Sequence, residues 1–259
     1  MNLGDRMKRY EQSSVGQYLV YRCPAILRVD GRAFHSFTRG MENPWDDDLC
    51  RLMHQTAAAL CDDISTAKFA YVQSDEISIL MTDYDSLTTE QWFGGKVQKI
   101  VSVAASVATA AFNQKIVHMV ADIPEEHRTE KAKLWYSKLG KAMFDARVFS
   151  IPADDAVNYF LLRQQDATRN SVSMLGRSKF SHSQLMGKSG DEIQDMLWKE
   201  HGINWNDCPT HRKRGLCLYR VQGTDDFRPR WQVDLEPPIF SQDRDYVGKW
   251  LETPDEEDV

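Results

Sequence analysis

The sequence predicts an α+β domain, an antiparallel sheet with helices packed on one face. Three observations carry this. Apolar residues recur at helical spacing in some segments and gather in short β-branched or aromatic runs in others. These segments follow one another as strand–helix–strand and then helix–strand–helix. A chain of 259 residues, 42% hydrophobic and 10% aromatic, can also bury one large core.

Residues 25–30 read as a strand stopped by Gly31. From 46 to 64, Leu49, Leu52, Met53, Leu60 and Ile64 recur at helical spacing, behind an acidic start that suits the helix dipole. Residues 69–81 are too short for an ordinary helix. As one strand they would put Phe69, Tyr71, Gln73, Asp75, Ile77 and Ile79 on one face. A helix is expected over 92–112, a strand over 142–151 and a helix from 154 to about 166. Ser189-Gly190-Asp191-Glu192 is a capping-box start for a helix over 193–200, ended by Gly202. A last strand is expected over 216–221. With no internal repeat or long linker, residues 1–150 read as a catalytic core and 151–259 as a part packed on it, with an acidic tail from about residue 252. Together they form a single compact unit.

Lys+Arg 32 against Asp+Glu 38 gives a net charge of −6. That excludes a wholly basic nucleic-acid coat, though not a local basic patch. Five cysteines without CxxC spacing argue against a structural zinc site or a disulfide framework and for a reducing cytoplasm. Residues 1–11 are polar rather than signal-like, and no run is expected to span a membrane.

Two short segments can carry chemistry. Asp30-Gly31 puts a carboxylate at a strand end, beside a glycine that lets a ligand approach the backbone. Consecutive amides from Gly31 to His35, with Arg32 nearby, could hold an anion. Taken alone, the pair more readily fits a strand-to-loop turn with a solvated Asp. In Ser74-Asp75-Glu76, two adjacent acids interrupt an apolar strand pattern, where an unpaired buried carboxylate is costly. A bound cation would resolve that conflict, as would a hairpin turn at 73–75 with both acids in water. Together, two strands each delivering an Asp would suit a two-metal phosphoryl-transfer site with Mg²⁺ on hard oxygen ligands.

The runs Ile26-Leu27-Arg28-Val29-Asp30-Gly31-Arg32-Ala33-Phe34-His35-Ser36-Phe37 and Gln73-Ser74-Asp75-Glu76 resemble the tRNA-His guanylyltransferase family. So do Phe144-Asp145-Ala146-Arg147-Val148, Arg163-Gln164-Gln165-Asp166, Ile203-Asn204-Trp205-Asn206 and Arg212-Lys213-Arg214-Gly215, in the family's order. The resemblance implies a polymerase/cyclase-like palm that adds nucleotides to the 5′ end of tRNA in the 3′-to-5′ direction. It implies two Mg²⁺ ions on Asp30, Asp75 and the Gly31 carbonyl, with Glu76 as a third catalytic acid supporting them. It assigns the triphosphate of GTP or another NTP to Gly31, Arg32, Ala33, Phe34, His35 and Ser74. ATP-dependent 5′ activation or RNA contact falls to Arg28, Arg147, Asn170, Arg212, Lys213 and Arg214. A homo-tetramer is also implied.

Where family members acting on tRNA-His carry His-Ile-Asn-x-x-Tyr-Asn, this chain reads Thr168-Arg169-Asn170-Ser171-Val172-Ser173-Met174, and Asn43 replaces the usual lysine before Pro44. These departures favour the guanylyltransferase-like branch, the 3′-5′ RNA polymerases that repair 5′-truncated tRNA from a template. G addition to tRNA-His is the alternative. A cyclase-like enzyme on small nucleotides or a non-catalytic RNA- or nucleotide-binding protein would share the same acids. The basic stretch 211–214 could grip phosphate or be a solvated turn. Among seven tryptophans, Trp205 and Trp231 could stack on bases, whereas Trp92 and Trp198 are expected to pack.

Overall fold

The structure, a computed structural model, describes residues 16–121, 123–221 and 230–252. The polar start at 1–11 and the acidic tail beyond 252 lie outside these residues. Strands β1 (Ala25–Gly31), β2 (Ala67–Gln73), β3 (Glu76–Met81), β4 (Phe144–Ser150), β5 (Leu216–Val221) and β6 (Arg230–Asp234) form one six-stranded sheet. Its order is β4-β1-β3-β2-β5-β6 and every pairing is antiparallel. The helices are α1 (Phe34–Phe37), α2 (Asp47–Asp63), α3 (Val97–Val120), α4 (Glu130–Ser137), α5 (Ala153–Arg177), α6 (His182–Leu185), α7 (Gly190–His201), α8 (Thr210–Arg214) and α9 (Asp245–Gly248).

Alternation along the strands sorts side chains onto two apolar faces. Leu27, Val29, Ala70, Val72, Ile77 and Ile79 join Leu52, Met53 and Leu60 of α2 and Ala104, Ala108 and Phe112 of α3. Ile26, Phe69, Tyr71, Leu80 and Cys217 join Ala156, Val157 and Phe160 of α5, with Phe240 and Val247 from the C-terminal segment. Helices therefore cover both faces, not one as expected, because the second face carries an apolar set of its own. A third cluster joins Val172 and Leu175 of α5 to Ile193 and Leu197 of α7.

The run 69–81 is a hairpin rather than one strand. Gln73 pairs with Glu76 and leaves Ser74-Asp75 as the turn, so Ile77 and Ile79 point away from the face holding Phe69 and Tyr71. Helix α3 begins only at Val97, after a 3₁₀ turn in which Phe93 takes a φ of 53°. At 24 residues it is by length and composition sufficient to cross a bilayer, against the expectation that no run would be. Its stripe Ile100, Ala104, Ala108, Phe112, Ile116 and Val120 is buried in the first core.

Helix α5 runs eleven residues past the expected stop at 166. Thr168, Ser171 and Ser173 bond back to carbonyls of the preceding turn, and Val172 and Leu175 are buried against α7, so tertiary packing outweighs weak propensity. The capping box at Ser189 and the left-handed Gly202 (φ 64°) stand as read. Trp92 packs as expected. Trp198 does not: its side chain is exposed, on the outer side of α7.

Candidate active site

The end of β1 and the tip of the β2–β3 hairpin form one corner. Asp30 lies opposite Glu76 on β3 and Asp145 on β4. The Gly31 amide donates to the Asp75 carbonyl at 3.0 Å, which pins the hairpin turn beside the first Asp-Gly. Ser74 adopts a φ of 49°, bending the chain in two residues so that Asp75 projects from the tip. Gly31 admits no side chain, since a Cβ there would lie 2.4 Å from the Phe34 ring. Phe34 is in turn fixed among Phe37, Phe112 and Phe144. Ala33 starts α1 in a left-handed conformation (φ 55°) with no side chain capping the first turn.

Both acids open into a cleft of about 800 Å³. Burial pushes the Asp75 carboxyl up; hydrogen bonds from its own backbone and Ser74 oppose this, and the neighbouring Asp30 charge adds to it. Glu76 lies behind them and is buried, not solvated as a water-exposed turn would require. Its Oε2 accepts from Arg28 Nη2 at 2.6 Å, and its Oε1 from Ser78 Oγ at 3.2 Å, with Arg163 Nε at 3.4 Å. Arg28 Nη2 also reaches Asp30 Oδ2 at 3.3 Å. Glu76 is thus a brace that holds two arginines, and Arg163 continues through Asp166 to Arg169 along α5.

Of the residues singled out in the sequence, Arg28, Asp30, Ser74, Asp75, Glu76, Asn170 and Arg212 line this cleft. Gly31, Arg32, Ala33, Phe34 and His35 form the β1–α1 turn beside it, with Phe34 buried and Arg32 donating to Met143 Sδ at 3.7 Å. Arg147 is exposed on edge strand β4, 3.7 Å from Asp145 and outside the cleft lining. Lys213 is buried rather than free for phosphate, donating to the Asn206 carbonyl at 2.6 Å. Arg214 contributes its carbonyl to the Tyr71 hydroxyl at 2.6 Å. The stretch 211–214 is helix α8, with Arg212 paired to Asp47 and set over the Trp45 ring. Trp205 donates to Ser171 Oγ, and Trp231 packs against the first core.

Sequence reasoning gave no role to Arg163 or Arg177, or to the wall formed by Thr38, Gly40, Met41, Glu42 and Trp45. Arg163, Asn170 and Arg177 are spaced by two helical turns on one face of α5, a signal hidden by ending that helix at 166.

Among the described residues no group of three or more His, Cys, Asp or Glu side chains closes into a metal cage. The two carboxylates fit a hydrated divalent ion that also takes substrate phosphates, which is how Mg²⁺ is ordinarily held. Like charges at Asp30 and Asp75, with Asp75 pushed up by burial, are what a bound cation relieves.

A six-stranded antiparallel α+β fold with this carboxylate corner fits a metal-dependent nucleotidyltransferase, and the comparisons with known proteins give that class. A family model described as "Thg1: tRNAHis guanylyltransferase" matches residues 4–152. The structure of a bacterial tRNA(His) guanylyltransferase (Thg1)-like protein in complex with ATP superposes with TM-score 0.84 at 43% identity, covering 98% of this chain and 100% of that one. One in complex with GTP gives 0.77 at 41% identity, covering 96% and 98%. The tRNA(His) guanylyltransferase of Debaryomyces hansenii is 28% identical over 250 residues, 89% of this chain and 86% of its own. The chain belongs to the tRNA-His guanylyltransferase family, and the likeness to bacterial Thg1-like proteins places it on that branch.

Proposed function

We propose that this enzyme adds nucleotides to the 5′ end of tRNA in the 3′-to-5′ direction, on a polymerase-like palm, and that its substrate is tRNA lacking 5′ residues, repaired against a template. The observation that carries this is the Asp30–Asp75 corner, pinned by the Gly31–Asp75 bond at the mouth of the cleft. The likeness to Thg1-like proteins solved with ATP and with GTP supports nucleoside triphosphates as substrates. Repair rather than G addition is favoured by the Thr168–Met174 stretch, which lies in α5 and puts Asn170 on the cleft without the family's His and Tyr.

In this reading Asp30, Asp75 and the Gly31 carbonyl hold Mg²⁺, and we propose two ions. Bound there, Mg²⁺ would lower the pKa of the incoming nucleotide's 3′-hydroxyl for attack on the tRNA 5′ phosphate, and would offset the charge on the pyrophosphate, or on the AMP of an ATP-activated end, that leaves it. Glu76 pairs with Arg28 and Arg163, so that two guanidinium groups are already placed on the cleft. In the β1–α1 turn the Gly31 and Arg32 amides are taken by the Asp75 and Met143 carbonyls, so the anion contact expected there falls to the amides of Ala33, Phe34 and His35. Arg212, steadied by Asp47 and Trp45, offers a cation on the cleft.

The test is incorporation of labelled nucleotides, with Mg²⁺, into tRNA intact or lacking its first residue. Extension of the truncated tRNA alone is expected. G addition to intact tRNA-His would replace repair with the alternative, and no incorporation into any RNA bearing a 5′ mono- or triphosphate would overturn both.

A further inference from the structure

One wall of the cleft is a loop with no regular structure of its own. Thr38, Gly40, Met41, Glu42, Asn43 and Pro44 line it, between α1 and α2. Such a segment holds its shape only if something backs it. The backing is α4. Lys131, Leu134 and Trp135 fall at i, i+3 and i+4 on one side of this helix, Lys138 is its C-cap, and all four meet the loop or its flanks. Lys138 Nζ donates to the Arg39 carbonyl at 3.1 Å and sits over the Phe37 ring. Trp135 packs edge-on against Phe37. Leu134 lies against Gly40, 3.2 Å from where a Cβ would stand.

The polar end of this contact is a single ammonium among three acids. Lys131 Nζ is 3.0 Å from Glu42 Oε1, 3.0 Å from Asp48 Oδ2 and 3.9 Å from Asp46 Oδ2. Asp46 is buried and already occupied, accepting from Leu49 N at 3.0 Å as the cap of α2 and from Glu42 N at 3.3 Å. Burial lowers the Lys131 pKa, but hydrogen bonds to Asp48 and Glu42 and the Asp46 and Asp48 charges outweigh it and hold the ammonium above the usual lysine range. Without Lys131, Glu42 and Asp46 would lose their shared cation, and Asp48 would keep only Arg51, whose Nη2 is 2.7 Å from its Oδ1.

We propose that Lys131 is a positioning residue for nucleotidyl transfer: it clamps the 38–48 wall from outside, through Glu42 and Asp48, and so sets the wall against which the nucleotide binds. This rests on the reading that the cleft takes the nucleotide. The test compares Lys131→Met, which keeps the aliphatic stem, and Lys131→Arg with the unaltered chain. It reads kcat and KM for GTP on truncated tRNA, equilibrium GTP binding, the melting midpoint, and hydrogen exchange of the amides in 38–48.

Lys131→Met is expected to raise KM and weaken GTP binding by about tenfold, leave kcat within about twofold, and speed exchange in 38–48 with exchange in the sheet unchanged. Lys131→Arg is expected to restore most of the loss. Unchanged KM and exchange in Lys131→Met would overturn the proposal. So would a fall in kcat with a global loss of protection, which marks a merely structural lysine. If the unaltered chain incorporates nothing, the functional reading fails, while GTP binding and exchange still decide whether Lys131 sets this wall.

Discussion

Asp75 carries a carboxylate where burial and the nearby Asp30 both disfavour its charge, and it is held there by a backbone bond from Gly31. Such a group costs stability in the metal-free protein and is useful only if something cationic comes to it. Asp75→Asn is therefore expected to leave the metal-free melting midpoint unchanged or raised, to abolish the upward shift produced by Mg²⁺, and to cut incorporation by about 10³-fold, the equivalent of several kcal/mol of lost charge stabilisation. A thermal melt with and without Mg²⁺ beside a nucleotide-incorporation assay checks all three. Glu76 sits next in sequence and behaves oppositely. Its removal leaves Arg28 and Arg163 facing each other with their common counter-charge gone. Glu76→Ala is expected to lower stability by about 1–3 kcal/mol, since both arginines are part-buried and keep Asp30 and Asp166 as partners, read from the denaturant midpoint. Equal melting of the two variants would refute this division between a working acid and a brace.

Helices α5 and α7 cross closely enough that the contact depends on one missing methyl group. A Cβ on Gly176 would lie 2.7 Å from Ile193 Cγ2. Alanine is the better helix former, yet Gly176→Ala is expected to destabilise by about 1–3 kcal/mol, because overpacking exceeds the propensity gain. Chemical denaturation decides the sign. At the meeting of α2 and α8, burial lowers the pKa of both His54 and His211. Arg51, His211 and Lys115 add to the shift at His54, and Arg212 adds to it at His211, where Asp47 and Glu236 oppose it. The folded form thus prefers both rings neutral. The unfolded chain takes up protons first, so their contribution is complete above the ordinary histidine pKa of about 6.5 and is lost as pH falls toward the folded values. Melting midpoints should fall between pH 7.5 and 5.5, and less steeply in a His54→Gln, His211→Gln double variant.

Over the whole molecule, the C-terminal segment is part of the second core rather than an appendage. Phe240 and Val247 are fully buried, and Gln164 exchanges two hydrogen bonds with this segment, donating to the Pro238 carbonyl at 2.9 Å and accepting from Phe240 N at 2.8 Å. Ending the chain at Asp234 uncovers Phe69, Tyr71 and Leu80, and is expected to yield aggregated or molten protein. A sharp near-ultraviolet circular dichroism spectrum from that truncation would contradict this. The sequence did not assign these residues, because their partners, from Gln164 back to Phe69, lie far away along the chain and the segment itself has no long periodic run.

Local information was sufficient where local chemistry decides the outcome. The strand ending in Asp30-Gly31, the acid-capped α2, the capping box at Ser189, the stop at Gly202 and the motif order that names the family are all determined by neighbouring residues. Asp30 and Asp75 could be picked out for the same reason, as acids set in apolar runs. Tertiary structure alone decided what depends on distant partners. Packing on α7 carried α5 through a polar stretch to Arg177, and a second apolar face drew helices to both sides of the sheet. A two-residue turn put Asp75 at a hairpin tip, and Glu76 behind it became a buried brace. Lys213 was withdrawn from the cleft, and α4 was set behind the cleft wall. Burial, ion pairing across the fold and close helix crossing act between residues that no sequence window contains, so only the folded chain could show which charges face the cleft.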